Sequence, residues 1–232
     1  MALALSVISV VASLTAVGLS IYLNVYRERR LRPRLQLLLD PESSSNLVTL
    51  EYPAEGECAE HWLRFSVCNE RDRRTAEDVE VMFIGCKSED GNNPELPLES
   101  RHLRWSATSE AKPGIDAMAA GGPKPMVSAT IPPGFYRYLD LLHASNRGKV
   151  DAAVRCVPRI CVWPPPSDRN HLLSGSYVFY FAVTARDANA SFYRLQVSFD
   201  GEWSPLREQW WSNHLQVSAP AALAIGEVPA GF

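Results

Sequence analysis

Two patterns of apolar and polar residues divide the chain. Residues 2–23 form an apolar run without a charged residue, a proline or an amide side chain. A helix rises about 1.5 Å per residue, so this run would be about 33 Å long, enough for the hydrocarbon layer of a bilayer. Tyr22 and Tyr26 lie at its far end, where aromatic rings favour the headgroup region. The pattern predicts one transmembrane helix over residues 1–26.

Two alternatives to a membrane span stay open. A cleaved secretory signal normally has a basic start and a shorter apolar core, and Ala16-Val17-Gly18 would be a poor cleavage site. A buried core helix normally shows a polar face, and no such face interrupts the run.

A basic segment, residues 27–34, follows the apolar run. It holds one glutamate and five arginines: Arg27, Arg29, Arg30, Arg32 and Arg34. Because the basic residues lie on one side only, the positive-inside bias places the C-terminal domain on the cytoplasmic side. Guanidinium groups next to a span attract anionic headgroups, at about 1 kcal/mol each near the surface. We expect these five side chains to contact the lipid bilayer; a role in topology alone is the alternative.

Small residues recur every four positions within the apolar run, at Ala12, Ala16 and Ser20. This spacing places them on one helix face, and small residues let two helices approach closely. They predict a homodimer contact, although alanine and serine are also common in membrane spans.

The rest of the chain is acidic. The totals are 23 basic and 26 acidic residues, so removal of residues 27–34 leaves 18 and 25, a net charge of −7. An acidic domain argues against a nucleic-acid partner, because binding to phosphates requires a basic surface. The five cysteines are odd in number and scattered, which favours a reducing compartment.

After residue 34 the apolar positions alternate with polar ones. Leu63, Phe65 and Val67 point to one face of a predicted strand, and a second strand follows at residues 79–84. The polar residues 69–74 between them predict a hairpin turn or short loop. Further strands are predicted at residues 34–39, 47–52, 102–106, 135–142, 177–184, 193–199 and 214–217, with a turn at residues 186–189.

Short strands separated by turns rich in proline and glycine predict a mainly β fold, an antiparallel β-sandwich. We expect this domain to cover residues 35–217, with surface loops at residues 87–100 and 108–126 and a flexible tail at residues 218–232.

One stretch resembles a known family. Leu63–Asn69, followed by Thr75–Val81, is similar to the strand–Asn–turn–Ala-x-x-Val hairpin of bacterial immunoglobulin-like sandwiches of the cell-adhesion-related type. The turn is rich in arginine, whereas the family usually has glycine there. The resemblance implies an immunoglobulin-like β-sandwich that serves as a binding or spacer module, and no catalytic residue.

Motifs for chemistry are few. The sequence has no glycine-rich phosphate loop, no His-Glu-x-x-His and no Gly-x-Ser-x-Gly. Cys58, His61, Cys156 and Cys161 would make a zinc set, but their spacing is not that of a structural zinc hairpin. We expect buried cysteines instead, and neither a metal nor a cofactor. A Cys156–Cys161 disulfide is an alternative only outside the cytoplasm.

Two adjacent tryptophans, Trp210 and Trp211, are the best candidates for a contact with a protein partner, because the two cannot easily share one core. The sequence therefore predicts a non-catalytic interaction or scaffolding module, anchored by one helix at the cytoplasmic membrane face. The alternative is an extracytoplasmic adhesion or carbohydrate-binding module on the same anchor; an enzyme with an unrecognised site is a third interpretation.

Overall fold

A computed structural model describes residues 2–40, 43–52, 58–89, 100–106, 127–146, 158–163 and 171–227. The side chains of residues 2–10, 163 and 225 lie outside this description, as do Cys156, most of the predicted loop 87–100 and all of the loop 108–126.

One long helix precedes the strands: α1 covers Ala2–Leu31. The strands are β1 Leu35–Leu38, β2 Leu47–Tyr52, β3 Cys58–Asn69, β4 Ala76–Ser88, β5 Arg101–Trp105, β6 Ser128–Ile131, β7 Tyr136–Ser145, β8 Arg159–Ile160, β9 Val162–Trp163, β10 Gly175–Ala185, β11 Ala188–Phe199, β12 Leu215–Val217 and β13 Ala221–Leu223. Short helical segments lie at Arg207–Gln209, Trp210–His214 and Ile225–Glu227.

The described strands form an antiparallel, strongly curled sheet in the order β1-β3-β7-β5-β4-β10-β11-β12. β5 joins its two halves, since Phe83 of β4 pairs with Arg101 and Leu139 of β7 pairs with Trp105. The curl brings distant strands together: the hydroxyl of Tyr193 on β11 donates to the carbonyl of Leu35 on β1 at 3.1 Å. The predicted mainly antiparallel β fold is confirmed at this level.

The core lies between the facing halves of the curled sheet. The period-two pattern predicted for β3 is confirmed, because Leu63, Phe65 and Val67 are all fully buried. The ring of Phe65 meets the ring of Phe181 edge to face at 5.0 Å. Burial of such a side chain contributes about 1.5–3 kcal/mol, so these aromatic contacts hold the halves together.

The connection between β3 and β4 is a short loop, one of the two predicted alternatives, and not a hairpin turn. β3 pairs with β1, β2 and β7, whereas β4 pairs with β5, β6 and β10, so residues 70–75 cross from one half of the sheet to the other. Asn69 stabilises the crossing: its buried side-chain amide donates to the carbonyls of Arg74 at 2.8 Å and Ile131 at 3.1 Å. A buried amide with both donors satisfied fixes this corner.

The predicted N-terminal helix is confirmed as α1, and its role as a membrane span stays a prediction. Every residue from Val11 to Arg30 is exposed, and the contacts with the sheet lie in the last turn, where the carbonyl of Leu31 accepts the N–H of Arg74 at 2.7 Å. Over the part of the chain that the structure describes, no helix is both long and apolar enough to cross a membrane.

The predicted flexible tail begins with structure. Ala221–Leu223 forms β13, which pairs with Phe192–Arg194 of β11. The expectation of a tail without structure from residue 218 is therefore wrong for this stretch. The predicted loop from residue 87 also begins too early, because β4 continues to Ser88.

Candidate interaction site at the end of helix α1

The last turn of α1 contacts one connection between strands, and two further connections border the same groove at this end of the sheet. These are residues 70–75, residues 132–135 and residues 186–187. We call this surface the helix-proximal end. It is held together by backbone hydrogen bonds, among them Gly134 N–H to Asn69 carbonyl at 2.8 Å and Arg186 N–H to Glu77 carbonyl at 3.0 Å.

Glu28 and Arg74 make the first ion pair across this junction. Arg74 donates from Nη1 to Glu28 Oε2 at 2.6 Å and from Nη2 to Oε1. Both side chains are exposed, so water screens the pair, but its two-pronged geometry specifies an orientation. The hydrogen bonds from Arg74 hold the pKa of Glu28 below its usual value.

Arg73 caps the end of α1. Its guanidinium donates to the carbonyl of Arg30 and to Glu70 Oε2, the latter from Nε at 3.0 Å. The last carbonyls of a helix lack intrahelical partners, and here Arg73 and the N–H of Arg74 satisfy those of Arg30 and Leu31. The helix therefore ends on the sheet at a defined place.

A third ion pair stabilises the neighbouring corner. Consecutive strand residues normally point to opposite faces, but β4 has an irregular register at residues 76–79, and Asp78 has a positive φ of 50°. This bulge turns Glu77 and Asp78 to the same side, and both accept hydrogen bonds from Arg186, with Glu77 Oε2 at 2.6 Å from Nη1.

The five predicted headgroup arginines lie at or next to this surface, and all are exposed: Arg27, Arg29, Arg30, Arg32 and Arg34. Two open grooves flank the helix end, with volumes of about 770 Å³ and 1060 Å³; Arg32 and Pro33 border both. Among the described residues, no carboxylate lies within ion-pair distance of Arg29 or Arg30, whereas Arg34 lies 3.9 Å from Glu70. The structure thus brings four of these arginines to the grooves and leaves their guanidinium groups accessible.

The charge of this end is opposite to that of the rest of the domain. Residues 27–34, 70–78 and 186–187 contain nine arginines and six acidic residues. Sequence reasoning found the first five arginines and missed Arg71, Arg73, Arg74 and Arg186. The sequence did contain a sign of this surface: the turn after Asn69 is rich in arginine, whereas the bacterial immunoglobulin-like sandwiches that it resembles usually have glycine there.

The predicted partner contact at Trp210 is wrong, because this side chain is fully buried. The N–H of Leu215 donates to the carbonyl of Trp210, five residues back, which is the spacing of a π-helical turn. The turn directs Trp210 into the core and leaves Trp211 half-buried. A partner contact of Trp211 stays a prediction.

Trp210 belongs to a cluster around His61 at the opposite end of β3. The rings of Trp210 and His61 are stacked with their centres 5.0 Å apart, and the ring centre of Trp203 lies 4.9 Å from that of His61. His61 Nε2 donates to the carbonyl of Ser204 at 2.8 Å, so Nδ1 accepts from the Thr49 hydroxyl, also at 2.8 Å. Burial lowers the pKa of His61 to about 4, which keeps the ring neutral.

A second buried polar cluster lies around Asp140. Its Oδ1 accepts from Arg64 Nε at 2.9 Å and from the Ser106 hydroxyl at 2.6 Å. Burial, with a contribution from the Asp140 charge, raises the pKa of Cys161 to about 12. A thiol with such a pKa is a poor nucleophile and a poor metal ligand at neutral pH.

The zinc set weighed from the sequence is not assembled in the described residues. Both ring nitrogens of His61 are engaged, and Cys156 lies outside the description. Among the described residues, Cys58, Cys68, Cys86 and Cys161 are not joined by a disulfide. No group of three metal-ligating side chains occurs in the part of the chain that is described.

Comparison with known protein families, curated proteins and solved structures finds no match. The likeness to bacterial immunoglobulin-like sandwiches therefore stays a resemblance over residues 63–81.

Proposed function

We propose that this chain is a membrane-anchored, non-catalytic interaction module, with α1 in the bilayer and the curled sheet held against the cytoplasmic face. The observation that carries the proposal is the contrast along α1. Its apolar residues between Val11 and Tyr26 are exposed, while its last turn is fixed to the sheet by Arg73 and Arg74. A helix with such a surface requires an apolar surrounding, because exposure of that area to water is unfavourable.

The length of the apolar run supports a lipid bilayer as this apolar surrounding. The side chains of residues 2–10 lie outside the description, and the rest of α1 does not meet the requirements of a span. The proposal therefore depends also on the sequence of residues 2–10, which continue the run without a charge. Together, residues 2–23 match the thickness of the hydrocarbon layer. The accessible arginines that follow are placed to contact anionic headgroups.

A non-catalytic role is supported by how the buried polar groups are used. His61 is held neutral between Thr49 and Ser204, and Asp140 is engaged by Arg64 and Ser106. Both clusters stabilise the sheet. We also propose that the curled sheet is a variant of an immunoglobulin-like sandwich, supported by its two facing halves and by the ring contact of Phe65 with Phe181.

The anchor is tested by fractionation of cells that express the full chain, followed by an alkaline wash of the membranes. We expect the chain in the pellet. Leu14→Arg with Val17→Arg should move it to the supernatant, because each charge at the centre of a span costs about 2.5–3.5 kcal/mol. Leu14→Val with Val17→Leu keeps the composition and should stay in the pellet. An unsubstituted chain in the supernatant would refute the proposal.

The side of the membrane is tested separately with Glu208→Cys, since Glu208 is exposed and lies next to the Trp210 cluster, far from α1. A membrane-impermeant maleimide should label this thiol after lysis and not in intact cells, with the unsubstituted chain as the background. Labelling in intact cells would favour the extracytoplasmic alternative.

A further inference from the structure

Two exposed aromatic side chains stand out on the sheet domain. Phe135 is 64% exposed and Tyr136 is 58% exposed, and no other phenylalanine, tyrosine or tryptophan in the described part after α1 is exposed to this degree. A fully apolar ring with this exposure is unfavourable in water, and adjacent exposed aromatic residues are typical of contact surfaces.

Both residues lie at the helix-proximal end. The N–H of Asn69 donates to the carbonyl of Phe135 at 3.1 Å, and Gly134 packs on Arg71, where an added Cβ would lie 2.9 Å from Arg71 Cγ. Gly134 has a φ of +75°, a conformation that favours glycine. The turn at residues 132–135 is thus fixed next to the arginine-rich crossing, and the two rings do not belong to a free loop.

The distance from the helix fits a headgroup contact. α1 ends five residues after Tyr26, a rise of about 7.5 Å. The headgroup layer on each side of the hydrocarbon is of similar thickness, about 5–8 Å. If Tyr26 lies at the boundary of the hydrocarbon, as expected for an aromatic residue that closes a span, the end of the sheet lies within the headgroups.

We infer that the helix-proximal end is itself a lipid-binding surface, in which Phe135 and Tyr136 insert among the headgroups and Arg71 and the arginines of residues 27–34 bind anionic lipids. This inference rests on the proposed anchoring by α1. Charge complementarity favours an anionic bilayer surface as the occupant, because the arginines outnumber the acidic residues at this end and the uncharged run of α1 leads directly into it.

The surface and the helix act together in this arrangement. The ion pair of Glu28 with Arg74 and the contact of Arg73 with the carbonyl of Arg30 set the angle between α1 and the sheet. The same end of the sheet therefore always faces the membrane, and the opposite end, with the Trp210 cluster, always faces away from it.

The test uses the full chain in nanodiscs of phosphatidylcholine with or without phosphatidylglycerol. The photoreactive residue p-benzoylphenylalanine replaces Phe135 in one variant and Leu206, which is 54% exposed and lies near the Trp210 cluster, in a matched control. We expect lipid adducts at position 135 at a yield several-fold above that at position 206, and a further increase with phosphatidylglycerol. An additional Arg71→Glu substitution should reduce this increase, since the arginines of residues 27–34 remain.

Two results would overturn the inference in different ways. Equal adduct yields at positions 135 and 206 in chains that are inserted in nanodiscs would refute the lipid-binding surface and leave the anchor intact. Failure of the unsubstituted chain to enter nanodiscs at all would refute the proposed anchoring together with the inference.

Discussion

The carboxylate of Glu28, on the last turn of α1, accepts two hydrogen bonds from the guanidinium of Arg74, on the crossing between β3 and β4. The two residues are 46 positions apart, and their contact joins the helix to the sheet. Because both are exposed, the pair determines orientation more than it determines the stability of the sheet.

Loss of this pair should loosen the junction and leave the sheet folded. In Glu28→Gln, we expect the N–H of Arg74, which donates to Leu31, to exchange with solvent a few-fold faster, with strand amides unchanged. Hydrogen exchange by mass spectrometry in detergent micelles measures both. The reversed pair, Glu28→Arg with Arg74→Glu, should restore slow exchange; equal exchange in all three chains would contradict a role for the pair.

The stability of the sheet should fall as the pH falls from about 6.5 to 4. Burial lowers the pKa of His61 in the folded chain from the ordinary value of 6.5 to about 4, so the unfolded chain binds the proton first in this range. The free energy of unfolding should therefore decrease by about 1.4 kcal/mol per pH unit, and by about 3 kcal/mol in total. Urea unfolding at several pH values measures this slope.

His61→Gln is the control for that experiment. Its amide can still donate to the carbonyl of Ser204 but does not titrate, so the difference in slope between the two chains isolates the histidine. The same slope in both chains would assign the pH dependence to other groups.

Truncation of the two adjacent tryptophans should have unequal effects. Trp210→Ala removes a fully buried ring stacked on His61 and should cost about 3–5 kcal/mol of unfolding free energy. Trp211→Ala removes a half-buried ring and should cost clearly less. Chemical denaturation of both variants measures the difference, and a larger loss at Trp211 would contradict the assignment of Trp210 to the core.

The cysteines should differ in reactivity. With its pKa raised to about 12 and its side chain buried, Cys161 should stay unmodified by iodoacetamide at neutral pH in the folded chain, while the partly exposed Cys58 and Cys68 react. Peptide mass spectrometry after timed labelling reads each site, and labelling in urea gives the control with every thiol accessible. Early modification of Cys161 would show that its cluster opens.

The sequence predicted the long strands well because burial on one face leaves a period-two pattern, as in Leu63, Phe65 and Val67. It did not predict β6, β8, β9 or β13, which have two to four residues each, although it did predict β1 and β12, which are of similar length. The sequence also did not predict which strands pair. Residues 69–74 have the composition of a hairpin turn or short loop, and only the contacts of Asn69 with Arg74 and Ile131 show that they cross between the two halves of the sheet.

The candidate site was predicted in part. The arginines of residues 27–34 stand out because they follow an apolar run. Arg71, Arg73, Arg74 and Arg186 become part of the same surface only through the fold. Trp210 was misassigned for a similar reason, because a π-helical turn separates adjacent side chains differently from an extended strand.

The first two residues of β5 pair with β4, and its last two residues pair with β7. One strand of five residues therefore connects the two halves of the sheet. Without it, β4 would keep only β6, and β7 only β8, on the side that β5 now pairs. The domain is consequently expected to melt in a single step, and fragments cut on either side of β5 should recover a native fold only when they are mixed.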